Sequence, residues 1–285
     1  MRERHRPSPS VVVGVDGSRA AVGAALWAVD AALSRDVPLR LICAIPPDGA
    51  VKLDPQSEAR KLATAELAVR YAFTAVESTE KPVKIEVEIT QGPPIPTLIE
   101  ASRSAAVICV GAVGIAHFAA GRVGSTTAHL ASSAYCPVAI IRGRDHPSTG
   151  RGTVLVCVGT SPKDGAVLEA ALEEARLRGL RLQAVTAWQS GFNGRHDNPA
   201  VSEGNRVACA QLDRLLAPWT RRYPDVAISS VAVRGSLLDH LARNSDSVQL
   251  VVMGAHDAAE FVGPAGNAVL HSTDCSVLIV SQRHL

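Results

Sequence analysis

The sequence predicts an α/β protein built from two tandem doubly wound domains, each around a parallel sheet. Three observations lead there. Short β-branched runs alternate with helical stretches along the chain, the pattern that right-handed βαβ crossovers leave in a sequence. The runs VVVGV, VICVG, VLVCVG and LVVMG are apolar without alternation, as strands covered on both faces must be. The pattern is also written twice. Val11-Val-Val-Gly-Val-Asp-Gly-Ser18 returns as Val154-Leu-Val-Cys-Val-Gly-Thr-Ser161, an offset of 143 that Leu41 and Ala184, Gln91 and Arg234, and Gly111 and Gly254 share. The architecture expected is Rossmann-like, or flavodoxin-like, twice over.

The elements follow in order. Residues 1–10 (MRERHRPSPS) are basic and rich in Pro and Ser, with no apolar stretch of a secretory signal behind them. They are expected to form a flexible tail. A strand covers 11–15, and Ser18 is a good N-cap for the alanine-rich helix that runs to about Ser34. A second strand covers 39–45. A long helix over roughly 56–78 places Leu62, Ala65, Val69, Phe73 and Val76 on one stripe. Strands near 83–89 and 106–110 flank a short helix near 96–103. A helix over about 124–134 and a strand at 137–141 close the first domain, residues 11–142. The polar segment Arg142 to Gly152 (RGRDHPSTGRG) places a linker over 143–152, and the second domain fills 153–285. Its long helix sets Ala208, Leu212, Leu215 and Trp219 on one stripe. Cys136-Pro-Val138 returns as Cys275-Ser-Val277 at an offset of 139, so the second copy has lost four residues between Gly254 and Cys275.

Composition narrows the function classes. The chain is 47% apolar and 4% aromatic with a formal net charge of +2. That suffices for a packed core, and it argues against a phosphate-backbone binder and against a stacking platform for single-stranded nucleic acid. No apolar run approaches the roughly 20 residues of a membrane helix. A cytoplasmic protein is expected. The cysteines at 43, 109, 136, 157, 209 and 275 form no C-x-x-C pair and read as small buried hydrophobes in a reducing compartment. The nine histidines show no metal-ligand spacing, so no protein-only metal site is expected.

Ligands of open α/β sheets bind beyond the carboxyl ends of the strands, at the topological switch point. The residues just past the strands are therefore the candidates: Asp16-Gly17-Ser18, Ala44 to Pro47, and Gly111-Ala-Val-Gly114. The last continues to Gly121-Arg-Val-Gly124-Ser125-Thr126-Thr127, giving the spacing G-x2-G-x9-G-S. Glycines at 111 and 114 permit a turn at positive φ and let a ligand approach the backbone. Gly124-Ser125 stands at a helix N-terminus, where free N–H groups and the dipole favour an anion. Three or four such bonds, at roughly 1.5–3 kcal/mol each, would hold a polyphosphate without lysine. Arg122 is the one certain cation of this loop. Asp16 suits ribose hydroxyls or an adenine amine, or Mg²⁺ through water; equally, Asp16-Gly17-Ser18 reads as a turn plus an N-cap.

Taken in order, VVVGVDGS, the G-x2-G-x9-G-S loop and the closing strand Cys136-Pro-Val-Ala-Ile-Ile-Arg142 resemble the universal stress protein family, in its tandem-domain, ATP-binding branch. The resemblance spans nearly the whole chain. It implies that Asp16 and the backbone at Ala44 meet adenosine, and that Gly111, Gly114, Gly124 and Ser125 hold the phosphates. Gly14 and Thr126 join from the same turns. It implies ATP as ligand, with Mg²⁺ held by Asp16 or water, a role in stress response or growth arrest in a bacterium, and an unidentified protein partner. It also implies pairing through the closing strands, as an intrachain pseudo-dimer or a homodimer.

The second copy departs from the motif throughout. Gly159 stands at the position of Asp16, Asp257 at that of Gly114, and Pro264 at that of Ser125. A degenerate site without ATP is expected there. No P-loop and no G-x-S-x-G elbow occurs, and His117 in the loop reads as a surface residue rather than a base. A regulatory nucleotide-binding protein is therefore expected rather than an enzyme, with a slow ATPase or a nucleotide-free scaffold as the alternatives.

Overall fold

The structure is a computed structural model of the chain. It describes residues 9–47, 55–113, 125–142, 152–159, 164–188, 199–244, 247–258, 261, 269 and 275–281. The chain divides into two compact units, with the boundary between residues 145 and 146.

In the first unit the order is β1 (Ser10–Gly14), α1 (Arg19–Ser34), β2 (Leu39–Ile45), α2 (Pro55–Glu77), β3 (Ile85–Gln91), α3 (Pro94–Ala101), β4 (Ala105–Gly111), α4 (Ser125–Ser133) and β5 (Val138–Ile141). The strands pair in parallel in the order β3-β2-β1-β4-β5. This is a doubly wound sheet whose switch point lies between β1 and β4. Helices α1 and α2 pack on each other, as do α3 and α4, and right-handed crossovers put each pair on its own face.

Val11, Val12 and Val13 are fully buried, as are Ala24, Ala25, Ala28, Ala31 and Ala32 of α1. A helix face made of alanine seats its backbone close to the sheet, which sets a condition on Gly111 described below. Ser18 caps α1 as expected: its Oγ accepts the Ala21 N–H at 3.1 Å. β1 begins at Ser10, which is buried, so one residue assigned to the tail belongs to the sheet; residues 1–8 lie outside the described residues.

The second unit runs β6 (Thr153–Cys157), α5 (Asp164–Arg178), β7 (Arg181–Trp188), α6 (Pro199–Arg222), β8 (Ile228–Arg234), α7 (Leu237–Arg243), β9 (Val248–Gly254) and β10 (Ser276–Val280). Its parallel order, β8-β7-β6-β9-β10, repeats that of the first unit. The linker expected at 143–152 lies outside the described residues except Gly152.

Two helix stripes differ from expectation. On α2 the buried residues are Ala65, Ala68, Val69, Ala72 and Val76, while Leu62 is 45% exposed. Alanines 65, 68 and 72 let α2 lie close to its neighbours, and that choice rotates Leu62 outward. On α6, Leu212 and Leu216 are buried and Leu215 is 37% exposed, because the chain uses the i, i+4 step where i, i+3 was expected. Five cysteines are buried and Cys209 is half-buried, all six as free thiols. Burial pushes the Cys136 thiol up to about 12.

Candidate functional site

The first unit carries a cleft of about 580 Å³ at its switch point, within the usual size of a small-molecule site. Each wall follows from the topology. The turn after β1 contributes Gly14, Val15, Asp16 and Ser18, and the end of β2 contributes Ile42 through Pro46. Val110 and Gly111 come from β4, Thr126 and Thr127 from the first turn of α4, and Leu98 from α3. One side of α2 closes the cleft with Ser57, Arg60, Lys61, Thr64, Ala65 and Ala68.

Of the residues singled out in the sequence, the cleft brings together Gly14, Asp16, Ala44, Gly111 and Thr126. Ser125 is the first residue of α4. Gly114, Arg122, Gly124 and His117 lie outside the described residues.

Asp16 is exposed at the rim, and its Oδ1 accepts the Ser18 N–H at 2.9 Å. Gly17 between them has φ 85°, a left-handed conformation that favours glycine. The turn-and-cap role is therefore present, and it leaves the carboxylate on the cleft wall. Burial raises the pKa of the Cys43 thiol in that wall, and the negative charge of Asp16 raises it further. Cys43 is thus a protonated, unreactive part of the lining at neutral pH.

Gly111 serves a purpose that the sequence did not reveal. Its φ is not in the left-handed region. A Cβ there would stand 2.6 Å from the carbonyl carbon of Ala20 and 2.8 Å from the Ala21 nitrogen. Glycine at this position admits the backbone of α1, so helix packing requires it. Thr127, almost fully buried, donates its hydroxyl to the Gly111 carbonyl at 3.3 Å. That bond ties the first turn of α4, with its N-terminal dipole, to the end of β4.

Arg60 and Lys61 are the functional candidates missed in the sequence. They lie about 50 residues from the glycine loop, and only the fold brings their helix to the cleft. The sequence led to the expectation of an anion held without lysine; in the structure a lysine and an arginine stand on the cleft wall. Among the described lining residues Asp16 is the one carboxylate.

The corresponding region of the second unit is built differently. Gly159, at the position of Asp16, donates its N–H to Asp164 Oδ2 at 2.8 Å, so the carboxylate has moved from the strand end to the first turn of the helix. Asp164 is 4% exposed. Burial holds the Asp257 carboxyl above the usual range, opposed by His256 and reinforced by the charge of Asp164. His256 Nε2 lies 3.2 Å from Asp257 Oδ2. At the end of β7, the Trp188 indole lies against Gly204 of α6 and donates from Nε1 to Asn205 Oδ1 at 2.6 Å. Among the described residues no group of three or more His, Cys, Asp and Glu is placed to hold a metal ion. No described helix is long and apolar enough to cross a membrane.

The model of the universal stress protein family matches this chain twice, over residues 9–142 and 150–281. The chain belongs to the universal stress protein family. It is of the tandem type, for the two matches coincide with the two units. The universal stress protein Rv2028c of Mycobacterium tuberculosis is 50% identical over 290 residues, covering the whole of both chains. A second protein of that organism, Rv3134c, is 42% identical over 283 residues, covering 98% of each. Among solved structures, a universal stress protein from Archaeoglobus fulgidus superposes with a TM-score of 0.71 at 15% identity, covering 95% of this chain and 96% of that one. At that identity the likeness is one of fold.

Proposed function

We propose that this universal stress protein binds one adenine nucleotide, ATP with or without Mg²⁺, in the cleft of the first unit, and acts as a regulatory module in a stress response. The carrying observation is the composition of one cleft at the switch point. Val15, Ile42, Ala44 and Leu98 offer an apolar bed for a base, and Asp16 offers a carboxylate to ribose or to Mg²⁺ through water. The start of α4 with Thr126, together with Arg60 and Lys61, offers positive potential to phosphates. ATP brings its own triphosphate charge, and these residues fit it.

The reading is of binding, not turnover. In-line hydrolysis wants a water-positioning base and a committed metal site, and the described lining has one carboxylate. A nucleotide whose occupancy changes the surface around the glycine loop suits recognition by a protein partner, with the protein in the cytoplasm, where its six free thiols stay reduced.

Equilibrium dialysis of the full chain against ATP–Mg²⁺ tests this directly. Saturation at one nucleotide per chain, with a rise in melting temperature, is expected. No saturable binding, no shift at millimolar nucleotide and no adenine nucleotide released on denaturation would favour a scaffold that works without one.

A further inference from the structure

The second unit holds an aromatic group of its own where the first unit is open. The offset of 143 pairs Trp188 with Ile45 and Gly204 with Lys61. In the first unit Ile45 and Lys61 stand in opposite walls of the cleft, at the end of β2 and on α2. In the second unit the indole spans from one of these positions to the other. A Cβ on Gly204 would overlap Cη2 of Trp188, with Cζ3 at 2.7 Å and Cζ2 at 2.8 Å. The glycine is therefore the receptor for the ring. Glycine in a helix interior is less favourable than alanine, and here that cost admits the indole. The ring's one polar atom is satisfied by Asn205, which pairs with Leu62 in the repeat.

We propose that the second unit is a self-occupied site, in which the Trp188 indole fills a slot for a flat bicyclic aromatic group. An indole has nearly the size and shape of a purine. Its seat joins a glycine against the ring to one hydrogen-bond acceptor at the ring's N–H edge, a combination suited to a flat ring with a polar edge. Asp164, in the first turn of α5, and Asp257 after β9 bring negative charge to this region and would repel an incoming polyphosphate. The chain then has one accessible nucleotide cleft and one closed by its own side chain. The comparison with a purine rests on the reading of the first cleft; the presence of the slot does not.

The test uses the full chain with indole as probe. Trp188→Ala opens the slot, and indole at about tenfold its Kd is expected to raise the melting temperature of that variant by about 3 °C more than that of the parent, which has the first cleft alone to offer. Gly204→Ala keeps the indole and places a methyl group against it. Its tryptophan emission is expected to move to the red as the ring is displaced into water, and this reading stands if Trp188→Ala does not fold. Equal indole shifts in parent and Trp188→Ala, or an unchanged emission in Gly204→Ala, would overturn the proposal. ATP titration of the parent reports on the first cleft, so its failure leaves the indole result intact and overturns the other reading alone.

Discussion

Gly111→Ala is expected to destabilise the first unit by about 1–3 kcal/mol, the usual cost of forcing a methyl group into a packed interior. The atoms in its way are backbone: the Ala20 carbonyl carbon at 2.6 Å and the Ala21 nitrogen at 2.8 Å, with Ala20 Cβ at 2.7 Å. Neither can rotate aside, so the N-terminal turn of α1 must move off the sheet. That turn carries the Ser18 cap and adjoins Asp16, so the cleft deforms with it. Gly14→Ala is the control. Its Cβ meets Leu98 Cδ1 at 3.0 Å and Val110 Cγ1 at 3.3 Å, side-chain atoms that yield, and a smaller loss follows. Urea denaturation of both variants measures the difference. If Gly111→Ala matched the parent, the close seating of α1 would be refuted.

Asp16→Asn and Asp16→Ala separate two roles that the sequence left undivided. Asparagine keeps an oxygen for the Ser18 N–H and removes the charge. Its stability is expected to stay within about 0.5 kcal/mol of the parent, while ATP affinity falls roughly tenfold, equivalent to about 1.4 kcal/mol. Alanine loses the turn bond as well, and about 1 kcal/mol of stability goes with it. Dialysis and thermal denaturation on the same preparations supply both numbers. Equal ATP affinity in Asp16→Asn and the parent would reduce Asp16 to a turn residue.

Much of the fold was legible because its signals are local. Ser18 beside an alanine run marks a cap, unbroken apolar strands mark a parallel sheet, and the offset of 143 marks the duplication. The helix stripes were read less well, because periodicity gives Leu62 more weight than Ala68 or Ala72. Packing distance gives the opposite order, and the alanines face inward. The site was legible in part for a related reason. Asp16, Ala44 and Gly111 lie at strand ends, where topology points, whereas Arg60 and Lys61 sit on a helix whose sequence carries no trace of the cleft beside it. For Gly111 the positive φ expected is absent and the close approach of α1 was not foreseen, since a glycine that admits a ligand and one that admits a helix look alike until the neighbour is known. Gly204 left one faint signal, a glycine in the middle of a helical pattern, with nothing to connect it to Trp188.

Photolabelling of the full chain with 8-azido-ATP tests most directly whether the cleft of the first unit receives the base. Illumination followed by peptide mapping is expected to place the label on residues 42–46 or 57–68, with unlabelled ATP suppressing it. Label confined to the second unit, or spread along the chain and indifferent to ATP, would contradict the assignment.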